Sequence, residues 1–122
     1  MKRILYVEDN QDTADAVKII LTNQGFEIVL AANGKAALEA AKQKFDLVLL
    51  DIMLPDMSGW DIFEKLRPGA TSTKFAFLSA IPVSSERMEE LRKSGVSDYI
   101  TKPFTKSDLV SRINKMLEPV IN

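Results

Sequence analysis

Five short apolar runs, Ile4–Val7, Ile28–Ala32, Leu47–Leu50, Phe75–Leu78 and the weaker Tyr99–Ile100, punctuate the chain, with longer stretches of helical period between them. Each run is continuously apolar, with no alternation. That pattern predicts strands covered on both faces, as in a parallel sheet. Ala14, Val17 and Leu21, with Ile20 beside them, predict a first helix that stops at Gly25 before Phe26. Asn33 caps an alanine-rich second helix through Ala36, Ala37, Ala40 and Ala41. Ser58, with Asp61 three residues on, opens a third helix carrying Ile62, Phe63 and Leu66, which Pro68-Gly69 ends. Met88 and Leu91 belong to a fourth, closed by Gly95. Thr105 and Asp108 read as a capping box for a fifth with Leu109, Ile113 and Leu117. Five βα units joined by right-handed crossovers give an α/β fold, an open parallel sheet with helices on both faces.

Composition narrows the chemistry. With 122 residues, 46% hydrophobic and 27% charged, the expectation is a single domain over residues 1–122. The longest linker-like stretch, 67–74, is too short to divide it, and no output domain is expected after the fifth helix. There is no cysteine, so disulfides, thiolate zinc sites and cysteine nucleophiles are excluded. There is no histidine, which removes an imidazole base, a Ser-His-Asp triad and a phosphohistidine on this chain. Sixteen basic and seventeen acidic side chains leave a net charge of -1, which argues against direct nucleic-acid binding. No apolar run approaches the ~20 residues that a membrane span needs. Met1-Lys2-Arg3 runs into the first strand and not into a signal peptide, so a cytoplasmic location is expected. The charge is uneven: residues 1–61 carry a net of -4 and residues 62–122 a net of +3.

In open parallel sheets, ligands bind beyond the carboxyl ends of the strands, where the topology reverses. After the first strand come Glu8, Asp9 and Asn10. After the third comes Asp51, after the fourth Ser79-Ala80, and after the fifth Thr101-Lys102-Pro103-Phe104. Taken alone, Asp9 or Asn10 reads best as a helix cap, Ser79 as a turn residue and Lys102 as a surface lysine. Asp51 directly after a buried run is costly to desolvate unless it is paired or used. If the first and third strands are neighbours, Glu8, Asp9 and Asp51 converge. Two such charges ~4 Å apart repel by about 4 kcal/mol at an effective dielectric near 20. One lysine answers part of that repulsion; a divalent cation answers all of it. Hard oxygen donors without histidine or cysteine point to Mg2+, with Mn2+ the alternative, and hence to phosphoryl chemistry.

These residues, in this order and over essentially the whole chain, resemble the receiver domain of two-component response regulators, the chemotaxis-protein-like receiver family. The markers are Glu8-Asp9, Asp51-Ile52-Met53-Leu54-Pro55 with Gly59 beyond, Ser79-Ala80, and Lys102-Pro103-Phe104. The resemblance implies a flavodoxin-like five-stranded sheet of order 2-1-3-4-5. It implies that Asp51 is the phosphoacceptor and that Glu8, Asp9, Asp51 and the carbonyl of Met53 hold Mg2+. It further implies that Lys102, before a cis Pro103, and Ser79 contact phosphoryl oxygens, and that Tyr99 is a switch aromatic. The implied partners are a sensor histidine kinase or histidine phosphotransfer protein, and a downstream protein target met by the fourth helix, fifth strand and fifth helix. Such a domain is a switch with self-directed phosphotransfer, not a turnover enzyme.

Four positions depart from the commonest form of that pattern. Glu8 stands where aspartate is more usual, and Ser79 where threonine is frequent. Met53 and Ile81, two residues after Asp51 and Ser79, are apolar and cannot orient an attacking water, so slow autodephosphorylation is expected. Met53 also argues against a haloacid-dehalogenase-like phosphatase, which needs an aspartate there. Glu8-Asp9 argues against a flavin phosphate at the first loop. The alternative function is a phosphorylation-independent adaptor with the same fold.

Overall fold

The apolar runs all become strands. A computed structural model of the chain describes residues 1–118, with β1 at Arg3–Val7, β2 at Glu27–Ala31, β3 at Leu47–Leu50, β4 at Lys74–Ser79 and β5 at Val96–Thr101. The helices are α1 (Gln11–Thr22), α2 (Gly34–Ala40), α3 (Gly59–Leu66), α4 (Ser85–Ser94) and α5 (Lys106–Leu117), with a 3-10 turn at Arg67–Gly69. All strand pairs are parallel and the order is β2-β1-β3-β4-β5. The expected 2-1-3-4-5 order is therefore the observed one, and β1 lies between β2 and β3. Among the described residues no helix is long and apolar enough to cross a membrane.

Two apolar layers sandwich the sheet. On one face Ile4, Tyr6, Leu47, Leu49, Ala76, Leu78 and Ile100 pack under Ala14, Val17 and Leu21 of α1 and Leu109, Ile113 and Met116 of α5. On the other, Leu5, Val7, Val48, Leu50, Phe75, Phe77, Val96 and Tyr99 pack under Ala37 of α2, Ile62 and Phe63 of α3 and Leu91 of α4. Strand residues alternate between the two layers, which is why the runs Ile4–Val7, Leu47–Leu50 and Phe75–Leu78 show no polar positions. The second layer is aromatic at its centre. Phe77 lies 4.3 Å from Trp60, 6.1 Å from Phe63 and 6.1 Å from Tyr99, ring centroid to ring centroid.

The helix starts follow the capping residues. Asn10, Asn33, Ser58, Ser84 and Thr105 each accept a hydrogen bond from the backbone N–H three residues on. At Ser58 the arrangement is reciprocal, because Asp61 accepts from the Ser58 N–H. At Thr105 the box is one-sided: the Asp108 carboxylate accepts from Arg112 Nε at 3.1 and 3.2 Å, one turn along. Strand β5 is four residues longer than the apolar pair Tyr99–Ile100. Ser97 and Asp98 hide its start, where Asp98 accepts two 3.0 Å bonds from Arg112. Gly95 ends α4 in the left-handed region at φ 107°, which a side chain would disfavour.

Candidate functional site

The site is built by ladders that run one residue past the strand ends. The Glu8 N–H donates to the Ala31 carbonyl at 3.0 Å, the Asp51 N–H to the Val7 carbonyl at 3.0 Å, and the Lys102 N–H to the Ser79 carbonyl at 2.8 Å. Each residue that leaves a strand is therefore held by the neighbouring strand before its side chain is placed. Val7 pairs with Leu50, so Glu8 and Asp51 emerge side by side. A carboxylate oxygen of Glu8, of Asp9 and of Asp51 all lie within 4.8 Å of one another. Glu8 and Asp51 are buried and Asp9 is exposed.

Lys102 spans the two buried acids. Its ammonium donates to Glu8 Oε1 and, at 3.3 Å, to Asp51 Oδ2. Burial alone pulls its pKa down, but the hydrogen bond to Glu8 and the Asp51 and Glu8 charges outweigh that, so the net displacement is upward. Glu8 Oε1 also accepts from the Tyr6 hydroxyl at 2.9 Å, and Glu8 Oε2 from the Asn10 N–H at 3.3 Å. Burial, then the Glu8 charge, push the Tyr6 phenol far above its ordinary range, so it stays a neutral donor. Asp51 Oδ1 accepts from the Met53 N–H at 3.2 Å. Among the described residues no buried side-chain polar atom lacks a partner.

The hydroxyl side is formed by β4 and β5. Ser79 is buried and its Oγ accepts from the Ile81 N–H at 3.3 Å. The Tyr99 hydroxyl donates to the Ile81 carbonyl. Burial raises the Tyr99 pKa, the neighbouring Ser79 hydroxyl opposes the rise, and the Asp51 charge adds to it. Met53 and Ile81, the two apolar residues of the departures above, are 68% and 38% exposed. The peptide bond between Lys102 and Pro103 is cis.

The loop after Asp51 folds back on itself. The Gly59 N–H donates to the Ile52 carbonyl at 2.8 Å, and a Cβ on Gly59 would lie 2.2 Å from the Asp51 carbonyl oxygen. Only glycine allows that approach. The tip of the loop is tied down from a distance: Asp56 accepts from the Gly34 and Lys35 N–H groups at 2.8 and 3.0 Å, at the start of α2. Those backbone bonds lower the Asp56 pKa. Its partners lie 22 and 21 residues upstream, so no local pattern in the sequence marks it. Tyr6 does carry a readable signal, a hydroxyl inside an apolar run two residues before an acid on the same strand face.

Electrostatically, three carboxylates meet one ammonium, which leaves two negative charges uncompensated. A divalent cation with oxygen ligands matches both the charge and the donor set. A wide groove of about 780 Å3, lined by Lys74, Arg92, Asp98, Arg112 and Lys115, lies at the opposite, amino-terminal edge of the sheet. It shares no residue with the acidic cluster.

The model of the response regulator receiver domain matches residues 4–114. The transcriptional regulatory protein PcoR of Escherichia coli is 37% identical over 118 residues, which cover 96% of this chain and 52% of that protein. The chain spans about half the length of the curated relatives it matches. Among solved structures, a CheY-like response regulator receiver domain protein from Methanospirillum hungatei superposes with a TM-score of 0.85 at 33% identity, over 94% of this chain and 92% of that one. The response regulator TrrA of Thermotoga maritima, solved in complex with Mg2+-BeF, superposes with a TM-score of 0.82 at 32% identity, over 96% of this chain and all of that one.

Proposed function

The chain belongs to the response regulator receiver domain family of two-component systems, and from that premise we propose that it is a phosphoacceptor switch charged at Asp51. The observation that carries the proposal is the convergence of the Glu8, Asp9 and Asp51 carboxylates within 4.8 Å, with Lys102 bridging two of them. We read residues 1–122 as a single receiver domain.

The reaction is phosphotransfer from a phosphohistidine. A carboxylate oxygen of Asp51 attacks the phosphorus in line, the P–N bond breaks, and the imidazole leaves and regains a proton. The product is an acyl phosphate on Asp51. The histidine belongs to a sensor histidine kinase or a histidine phosphotransfer protein, because this chain has none. Glu8, Asp9, Asp51 and the Met53 carbonyl would hold Mg2+, or Mn2+, which when bound supplies positive charge beside the phosphoryl oxygens. Lys102 moves from Glu8 and Asp51 to a phosphoryl oxygen, and the Ser79 hydroxyl donates to another. Catalysis is then positioning and charge neutralisation.

The new dianion competes with the present partners of Lys102 and Ser79. Tyr99, held at the Ile81 carbonyl beside Ser79, feels that change first. A shift there biases a pre-existing equilibrium of the α4–β5–α5 surface, which a downstream protein target reads. Met53 and Ile81 expose apolar side chains and leave no group to orient water, so autodephosphorylation is slow. Met53→Asn and Ile81→Gln, which supply a polar group able to orient water, accelerate phosphate loss, measured by the decay of the phosphorylated mass; an unchanged decay in both removes this assignment.

Incubation with a small-molecule phosphodonor and Mg2+, followed by intact mass, tests the proposal. One phosphoryl group appears on the wild type and none on Asp51→Ala or in the presence of a chelator. Equal modification with and without the chelator contradicts it.

A further inference from the structure

Glu8 occupies the position of a metal ligand on a side chain with one more rotatable bond than aspartate. Something must select which of its oxygens faces the cluster. Oε1 already takes two donors, the Tyr6 hydroxyl at 2.9 Å and the Lys102 ammonium. Oε2 takes only the Asn10 N–H, at 3.3 Å, and keeps lone pairs to spare. Tyr6 is wholly buried, under α1 and α5 with Ile4, Leu49 and Val17 in the same layer, so its hydroxyl is fixed in place. Lys102 is a mobile donor whose proposed role takes it elsewhere. Tyr6 is then the side-chain donor that stays on Oε1.

We propose that Tyr6 is a positioning residue for the divalent-cation site: its buried hydroxyl pins Glu8 Oε1 and thereby leaves Oε2 as the oxygen that would serve a cation held with Asp9 and Asp51. The inference rests on the metal reading above and adds a residue to it. It also accounts for glutamate in place of aspartate. The longer side chain reaches the cluster while bonded back to the strand that carries it, and an aspartate here would be one carbon–carbon bond short of that hydroxyl. Outer-shell partners of this kind typically change metal affinity by about 10–100-fold when removed.

The test is Mn2+ binding to the intact chain, followed by the electron paramagnetic resonance signal of the free ion. Tyr6→Phe removes the oxygen and keeps the ring; the dissociation constant rises about tenfold by the outer-shell precedent. In a Glu8→Asp background the same change has less than about a twofold effect, because the hydroxyl has no carboxylate to hold. Tyr6→Met, a second filler without the hydroxyl, shifts the constant in the same direction as Tyr6→Phe. Unchanged affinity in Tyr6→Phe, or an equal loss in both backgrounds, overturns the role of Tyr6 while wild-type binding and its absence in Asp9→Asn leave the metal reading intact. A wild type that binds no Mn2+, or Asp9→Asn that binds as well as wild type, overturns the metal reading and this inference together.

Discussion

Lys102 stands between two buried acids that repel each other, with its side chain 20% exposed and the Glu8 side chain 1%. Removing the ammonium leaves both carboxylates without their cation. A fully buried pair broken this way costs about 3–5 kcal/mol, and the partial exposure here brings Lys102→Ala to about 2–3 kcal/mol in a chelator. Because a divalent ion answers the same charge, adding Mg2+ recovers more stability in Lys102→Ala than in the wild type; urea unfolding with and without the ion measures the difference. Equal Mg2+ stabilisation in both proteins contradicts the shared-charge account.

The same residues set the alkaline limit. Tyr6 and Lys102 both have folded pKa values above their ordinary 10.0 and 10.5. A raised folded pKa means that the native state holds the proton more tightly. That stabilisation is complete below the ordinary value and is lost as pH climbs past it. The chain therefore loses no stability from these groups between about pH 6 and pH 9, and loses it progressively above pH 10. Tyr6→Phe makes the decline shallower, which thermal midpoints across that range record.

At the scale of elements, the loop from Asp51 to α3 is held at both ends. Gly59 is pressed against the Asp51 carbonyl, where an added Cβ would sit 2.2 Å away. Gly59→Ala forces the loop and Asp51 apart, at a cost of about 2–3 kcal/mol by analogy with overpacked cores, and slows phosphorylation at Asp51. Chemical unfolding and the initial rate of mass gain check the two parts. At the loop tip, Asp56→Ala removes the acceptor of the Gly34 and Lys35 N–H groups, whose hydrogen-exchange protection falls while that of β3 is kept. The Asp56 pKa lies below its ordinary 3.8, so the tie is present above that value and is lost as pH falls through the lowered one.

This loop marks the boundary of what the chain discloses locally. The Ser58–Asp61 box and the Gly95 stop act within four residues, and their chemistry is written in adjacent letters. Asp56 acts across 22 residues, and only the closed fold brings its partners near. The start of β5 was hidden for a related reason. Ser97 and Asp98 look like a turn until Arg112, from α5, arrives to pair with Asp98.

Across the whole molecule, the parallel sheet was legible because burial on both faces leaves unbroken apolar runs, and the site was legible because such a sheet gathers chemistry at one edge. Glu8, Asp9, Asp51, Ser79 and Lys102 all lie at that edge, just where the strands end. What the strand ends did not disclose was the wiring: that Lys102 rests on Glu8 as well as Asp51, and that Tyr6 reaches Glu8 from inside the core. Those contacts depend on side-chain direction and depth, which periodicity does not carry. The aromatic layer around Phe77 belongs to this scale as well. Phe77→Ala removes the ring shared by Trp60, Phe63 and Tyr99 and lowers stability by about 3–5 kcal/mol in urea unfolding.

The central claim is that Asp51, among three clustered acids, is the group that takes the phosphoryl. Reductive trapping of the acyl phosphate after treatment with a phosphodonor and Mg2+, followed by peptide mass mapping, reads this directly. The account predicts the trapped modification on Asp51 alone. Trapped modification of Glu8 or Asp9 in its place, or a trapped product that persists in Asp51→Ala, would contradict it.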